Sequence, residues 1–169
     1  MNEFLSTIWP ALTPETAEIL FKLALAALFG LLIGIERTTA NKTAGMRTYA
    51  LISMGSCLFV VISQAVASRF IGISNFDPLR VASQIVVGIG FVGGGLIMVQ
   101  GHRISGITTA AGIWVAAGMG VAVGFHFYTV AAFVTLLTIF IFTILWHVEG
   151  RIKAHSKKLF THRDPLDDI

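Results

Sequence analysis

Five stretches of the chain, residues 17–35, 48–68, 81–99, 107–124 and 128–146, are each about as long as a bilayer is thick and almost free of charge. A helix rises about 1.5 Å per residue, so roughly 20 apolar residues cross a hydrocarbon core of about 30 Å. The fourth stretch is short and rich in glycine. The predicted fold is an all-α membrane protein, a bundle of about five transmembrane helices with Gly-rich central spans. It would occupy residues 1–146, with residues 147–169 as a short cytoplasmic tail.

Composition agrees with lipid as the solvent. Of 169 residues, 55% are apolar and 12% charged, about half the charge density of soluble domains, too little to cover a globule in water. The apolar runs leave no room for a separate soluble domain. The single cysteine, Cys57, lies inside an apolar run. It has no partner for a disulfide or a zinc site and reads as a packing residue. The N-terminus carries Glu3 and no basic region before its short apolar stretch, so it does not read as a cleavable signal, and Trp9 and Pro10 suit an interfacial lead-in. The net charge of +3 comes from basic residues beside the spans, which points away from nucleic acid.

Helix starts carry capping chemistry. Thr13-Pro14-Glu15 offers a hydroxyl cap, a proline for the first turn and an acid for the dipole, and Asp77-Pro78 repeats the pattern before span three. Ser105-Gly106 is a weaker start for span four. With an odd number of spans the two ends lie on opposite sides. One side holds Arg37, Lys42, Arg47, Arg103, Arg151, Lys153, Lys157, Lys158 and Arg163; the other holds Arg69 and Arg80, with Lys22 inside span one. The basic side should be cytoplasmic, giving N-terminus outside and C-terminus inside. Ile152, Leu159 and Phe160 could give the tail an apolar face on the membrane surface; a solvated tail is an equal alternative.

Small residues four apart let helices approach closely in lipid, where burial of apolar surface supplies little drive. Gly30 and Gly34 do this in span one, Gly90 and Gly94 in span three, and Gly112, Ala116, Gly120 and Gly124 in span four. Spans three and four are therefore expected to form the packed centre, and the glycine-free span five the periphery. The functional alternative is that Gly88, Gly90, Gly93, Gly94 and Gly95 permit a broken helix lining an ion path; packing is the favoured reading.

Ionisable residues mark the span ends: Glu36 and Arg37, then Arg47, then Asp77 and Arg80. On a helix starting near Pro78, the positions Asp77, Arg80, Gln84, Gly88, Phe91 and Gly95 share one face, which is expected to point into the protein. The plainer reading is that the arginines are topogenic anchors reaching the headgroups. Glu36 and Arg47 belong near one interface and Asp77 and Arg80 near the other, so two polar layers are expected rather than one cluster. His102, His126, His147, His155 and His162 lie in loops or the tail without metal-ligand spacing. Gly88 to Gly93 matches a dinucleotide fingerprint in form only, since no strand precedes it. No catalytic residues, metal site or cofactor are expected.

The run Gly30-Leu-Leu-Ile-Gly34-Ile-Glu36-Arg37, then Lys42-Thr-Ala-Gly45-Met-Arg47-Thr48, resembles the opening of the MgtC/SapB family of bacterial membrane proteins. Asp77-Pro78-Leu-Arg80 with Gln84, then Gly88-Ile-Gly90-Phe91-Val-Gly93-Gly94-Gly95, resembles the family's central motif, with Gly94 where alanine is expected. Gly106-Ile-Thr108-Thr109-Ala110-Ala-Gly-Ile-Trp114 is similar to the next motif, and Gly118, Gly120 and Gly124 fit the segment after it. The resemblance implies a bacterial inner-membrane protein linked to magnesium limitation, acid stress, intracellular survival and virulence. It would act by modulating other membrane proteins, among them a P-type magnesium ATPase and the proton-driven ATP synthase. Family members named for low-magnesium virulence carry an ACT-like domain after the membrane part. This chain ends at Ile169, so it is expected to be a short form to which that domain's functions do not carry over.

Two functions compete. One is a regulatory protein pairing with itself, as a homodimer or larger homo-oligomer, and with another membrane complex. The other is a small ion or solute transporter. A magnesium path wants clustered oxygen ligands, yet the membrane-embedded acids are essentially Glu36 and Asp77, each beside arginines; an anion or lipid headgroup fits better. A lipid-modifying enzyme would have only Glu36, Asp77 and His102 to work with, and no nucleophile. The residues expected to form a polar functional interior are Glu36, Arg37, Arg47, Asp77, Arg80, Gln84, Thr108, Thr109 and Trp114. Those expected to pack helices are Gly30, Gly34, Gly88, Gly90, Gly94, Gly112, Gly120 and Gly124.

Overall fold

A computed structural model describes residues 13–69, 77, 79–101 and 103–161. Trp9, Pro10, Pro78, His102, His162 and Arg163, and the side chains of Arg69, Leu159 and Phe160, lie outside the described residues. The first helix, α1 (Pro14–Thr39), starts as its sequence dictates: the Thr13 hydroxyl accepts from the Thr16 N–H at 3.2 Å, with Pro14 in the first turn. A short turn leads into α2 (Met46–Arg69). Helix α3 (Leu79–Leu96) opens where the Asp77 carboxylate accepts from the Leu79 N–H at 2.9 Å.

Span three ends earlier than its hydropathy suggests. After Leu96 the chain forms a two-stranded antiparallel hairpin, β1 (Met98–Gln100) with β2 (Arg103–Ser105), in the register Met98↔Ser105, Val99↔Ile104, Gln100↔Arg103. Met98 and Val99 are apolar enough to extend a helical run but equally suited to a strand. The hairpin returns the chain at Gly106, whose φ of +90° and contact with the Leu96 carbonyl leave no space for a Cβ. Helix α4 (Ile107–Gly124) follows, then α5 (Tyr128–Phe140). A π-helical turn, Ile141–Leu145, joins α5 to α6 (Trp146–Thr161) without a break, so the residues after span five continue its axis.

Among the described residues, five helical segments are long and apolar enough to cross a membrane, the fifth running from α5 through the π turn into α6, and the chain is a multi-pass membrane protein. The packed centre consists of α1, α2 and α4. Gly30 lies against Tyr49 and Ala50, and Gly34 against Met46, so α1 and α2 run antiparallel with backbones almost touching. Gly120 faces Ser53 and Ser56, and Gly124 faces Val60, so α4 runs parallel to α2 along the same seam. Half of α4 is buried, against 6% of α3. The expected centre of spans three and four is therefore corrected: α4 is central, but α2 takes the place assigned to α3. The reason lies in α2's small polar residues, Ser53, Ser56 and Cys57, which are all buried and admit close approach without glycine.

Helix α5 lies at the periphery, burying one stripe of Ala131, Thr135 and Thr138, continued by Phe142 in the π turn, and exposing Phe133, Leu136 and Phe140. The Thr135 and Thr138 hydroxyls donate back to the carbonyls of Ala131 and Val134, both at 2.7 Å, which lets hydroxyls lie in an apolar seam at little expense.

Candidate functional site

Two polar clusters sit at opposite ends of the α1–α2–α4 core. At the end carrying the hairpin, Arg37 is 3% exposed, pairs through Nε with the Glu36 carboxylate, and stacks its guanidinium 3.6 Å from the centre of the Phe142 ring. Phe142 belongs to the π turn. The extra residue there re-aims a side chain that would otherwise face elsewhere, and π turns are frequent at functional positions. The same ring closes over Gly112, the nearest ring atom being 2.7 Å from where a Cβ would stand.

Tyr49 completes this cluster. Wholly buried, it donates its hydroxyl proton to the Thr109 carbonyl at 3.3 Å, tying α2 to the start of α4. Thr38 clamps the turn between α1 and α2: its hydroxyl donates to the Gly34 carbonyl at 2.9 Å and accepts from the Met46 N–H at 3.1 Å. A guanidinium held by a carboxylate and an aromatic face is a satisfied buried cation, and its planar shape is what permits the stack.

At the other end, Glu18 of α1 accepts from Lys22 Nζ at 3.1 Å and lies 2.7 Å from His126 Nε2 across the α4–α5 turn. Lys22 is 5% exposed, a cation drawn into the helix seam, while Glu18 and His126 are half exposed. His126 has a φ of +67°, uncommon for a side-chain-bearing residue, and its ring packs edge-on to Tyr128, 6.0 Å between centroids.

Of the residues expected in a polar interior, Glu36, Arg37 and Thr109 come together, and Tyr49 and Phe142 join them unforeseen. Arg47, Asp77, Arg80, Gln84, Thr108 and Trp114 are exposed in the subunit. The stripe from Asp77 to Gly95 thus departs from the expected inward orientation: Arg80, Gln84 and Gly88 line an open groove beside α2, and Phe91 is 88% exposed. Among the described residues neither Asp77 nor Arg80 forms an ion pair, so the layer at that end is Glu18–Lys22–His126 instead. One signal could have found it, since Glu18 and Lys22 stand four apart on one helix face. Nothing in the pattern places His126, 108 residues away.

The glycines divide the same way. Gly30, Gly34, Gly112, Gly120 and Gly124 are pressed against neighbouring helices; Gly88, Gly90 and Gly94 meet nothing within 4 Å of an added Cβ. Of the α3 glycines, Gly93 faces α4, where an added Cβ would stand 3.6 Å from the Ala110 methyl.

The chain is 37% identical over 139 residues to the "Putative magnesium transporter YhiD" of Escherichia coli strain K12, a match covering 81% of this chain and 65% of that protein. It is 43% identical over 127 residues to Protein SapB of Bacillus subtilis, covering 73% of this chain and 54% of that one. It is 41% identical over 123 residues to Protein MgtC of Brucella abortus, covering 73% and 49% respectively. The chain thus spans between half and two thirds of these relatives' lengths. No solved structure matches it. Residues 23–151, the seam glycines and the Arg37–Phe142 cluster among them, match the MgtC family over most of the chain, and the chain belongs to that family.

Proposed function

We propose that the protein is an inner-membrane regulator that acts by docking other membrane-embedded helices during adaptation to low magnesium, and with it acid stress and intracellular survival. The observation that carries this reading is the outward face of α3. Val87, Gly90, Phe91 and Gly94 form one stripe, uncovered in the subunit, with two glycines at the spacing by which membrane helices pair. A second copy would give a homodimer; a transporting P-type magnesium ATPase or the ATP synthase are the partners the family resemblance suggests. Lys42, Arg47, Arg103, Arg151 and Lys153 gather at the hairpin end, and Arg80 stands at the other, which supports a cytoplasmic hairpin end and an external N-terminus.

The transporter reading draws on the name of the Escherichia coli relative. Against it, the charges buried in the bundle, among the described residues, are Lys22 and Arg37. Two buried cations oppose the passage of a divalent cation, even when each has a carboxylate beside it.

Tagged protein purified in mild detergent from magnesium-starved cells tests the choice. A stoichiometric membrane partner, lost together with low-magnesium growth support in Gly90→Leu and Gly94→Leu, is the expected result. Partner-free protein that moves magnesium into liposomes, with both variants still supporting growth, overturns it.

A further inference from the structure

The other side of α3 forms a groove with α2 of about 580 Å³, lined by Leu51, Gly55 and Phe59 of α2 and by Arg80, Gln84 and Gly88 of α3, among others. Its length follows from its lining. From Arg80 to Val92 is roughly 18 Å at 1.5 Å per residue, close to the depth of one leaflet of a hydrocarbon core of about 30 Å. A groove of that volume, spread along the depth of one leaflet, accommodates a hydrocarbon chain. Gly55 and Gly88 keep it open from opposite walls, since neither has any atom within 4 Å of where its Cβ would stand.

Apart from Ser56 on the α2 side, the walls are apolar except at the end where α3 begins. There Arg80 is exposed and, among the described residues, forms no ion pair, while Asp77 gives a carboxylate oxygen to the Leu79 N–H. Gln84 lies one turn deeper on the same face. A guanidinium at headgroup depth above an apolar slot one leaflet long matches a molecule with a phosphate at one end and an acyl chain at the other. Arginine suits the phosphate because its planar donors can engage two oxygens at once.

We infer that the α2–α3 groove binds an anionic glycerophospholipid of the leaflet at the Arg80 end, its phosphate on Arg80 with the Gln84 amide beside it, and one acyl chain lying between Gly55 and Gly88. The site is independent of the docking face proposed above, because Gly90 and Gly94 point away from the groove.

The test is native mass spectrometry of the full chain released in mild detergent from phosphatidylcholine vesicles containing phosphatidylglycerol as the minor lipid. Wild-type protein is expected to carry one phosphatidylglycerol. Arg80→Gln should lower the bound fraction about tenfold, the usual effect of losing a hydrogen bond to a charged group. Gly88→Leu, which fills the slot, should abolish binding, and Gly55→Leu fills it from the other wall should the first variant not fold. Gly94→Leu should keep its lipid even where it loses a protein partner, so the two proposals fail separately. Three results overturn the inference: equal lipid on wild type, Arg80→Gln and the slot-filling variants; a phosphate adduct on wild type without lipid; or a lipid-free dimer that Gly88→Leu dissociates.

Discussion

Gly120 and Gly94 stand in the same four-residue pattern of small residues, one in α4 and one in α3. A methyl group added at Gly120 would run into the Ser53 carbonyl, while one added at Gly94 would meet nothing within 4 Å. The α1–α2–α4 seam has consumed its glycines in backbone contact. Helix α3 still holds its own in reserve, on one side facing outward and on the other bordering a groove. Close approach in lipid needs a complementary surface as well as a missing side chain, and only the seam supplies both within one subunit.

The strongest way to break the comparison is Gly120→Ala or Gly30→Ala. In each the obstacle is main chain, of Ser53 or Tyr49, so the helices must separate. The loss should be about 3 kcal/mol, the upper end of ordinary overpacking. Thermal unfolding in mild detergent reads it, and a melting temperature unchanged from wild type would mean the seam is not packed this way.

Arg37→Ala should come next, at about 2 to 3 kcal/mol, at or just below the floor for breaking a fully buried pair because Glu36 keeps 18% of its side chain exposed. Arg37→Lys should recover only part of the loss, since an ammonium pairs with Glu36 but does not stack on Phe142 as a plane. Full recovery by lysine would show that charge alone matters at that position. Tyr49→Phe removes one hydrogen bond of 3.3 Å and keeps the ring, so a loss of about 1 kcal/mol is expected.

The smallest effect should be at Gly94→Ala in the purified subunit. With open space around it, the change should lie within about 0.5 kcal/mol of wild type or stabilise slightly through helix propensity. A loss as large as that of Gly120→Ala would erase the distinction between the two helices; a loss seen only in cells, where partners are present, would sharpen it.

Much of this was readable beforehand. The five spans, the Thr13 and Asp77 caps, the peripheral α5 and the pairing of Gly30 and Gly34 with a neighbouring helix follow from hydropathy, capping chemistry and spacing. The hairpin was not, because Met98 and Val99 serve a helix and a strand equally well. The polar cluster was half legible. Glu36 and Arg37 announce a span end, but Tyr49 and Phe142 look like ordinary apolar filling until a π turn brings one of them over the guanidinium.

What the residues determined alone is the solvent and the number of crossings. Runs of that length and apolarity have no other medium in which their backbone and side chains are both satisfied. What only the tertiary structure decided is which small-residue faces are used. Spacing is a property of one helix, whereas contact depends on the shape of two, and the buried serines of α2 rather than any glycine of α3 completed the seam. For the same reason Arg80 and Gln84, polar positions on a helix face expected to turn inward, came to line an open groove.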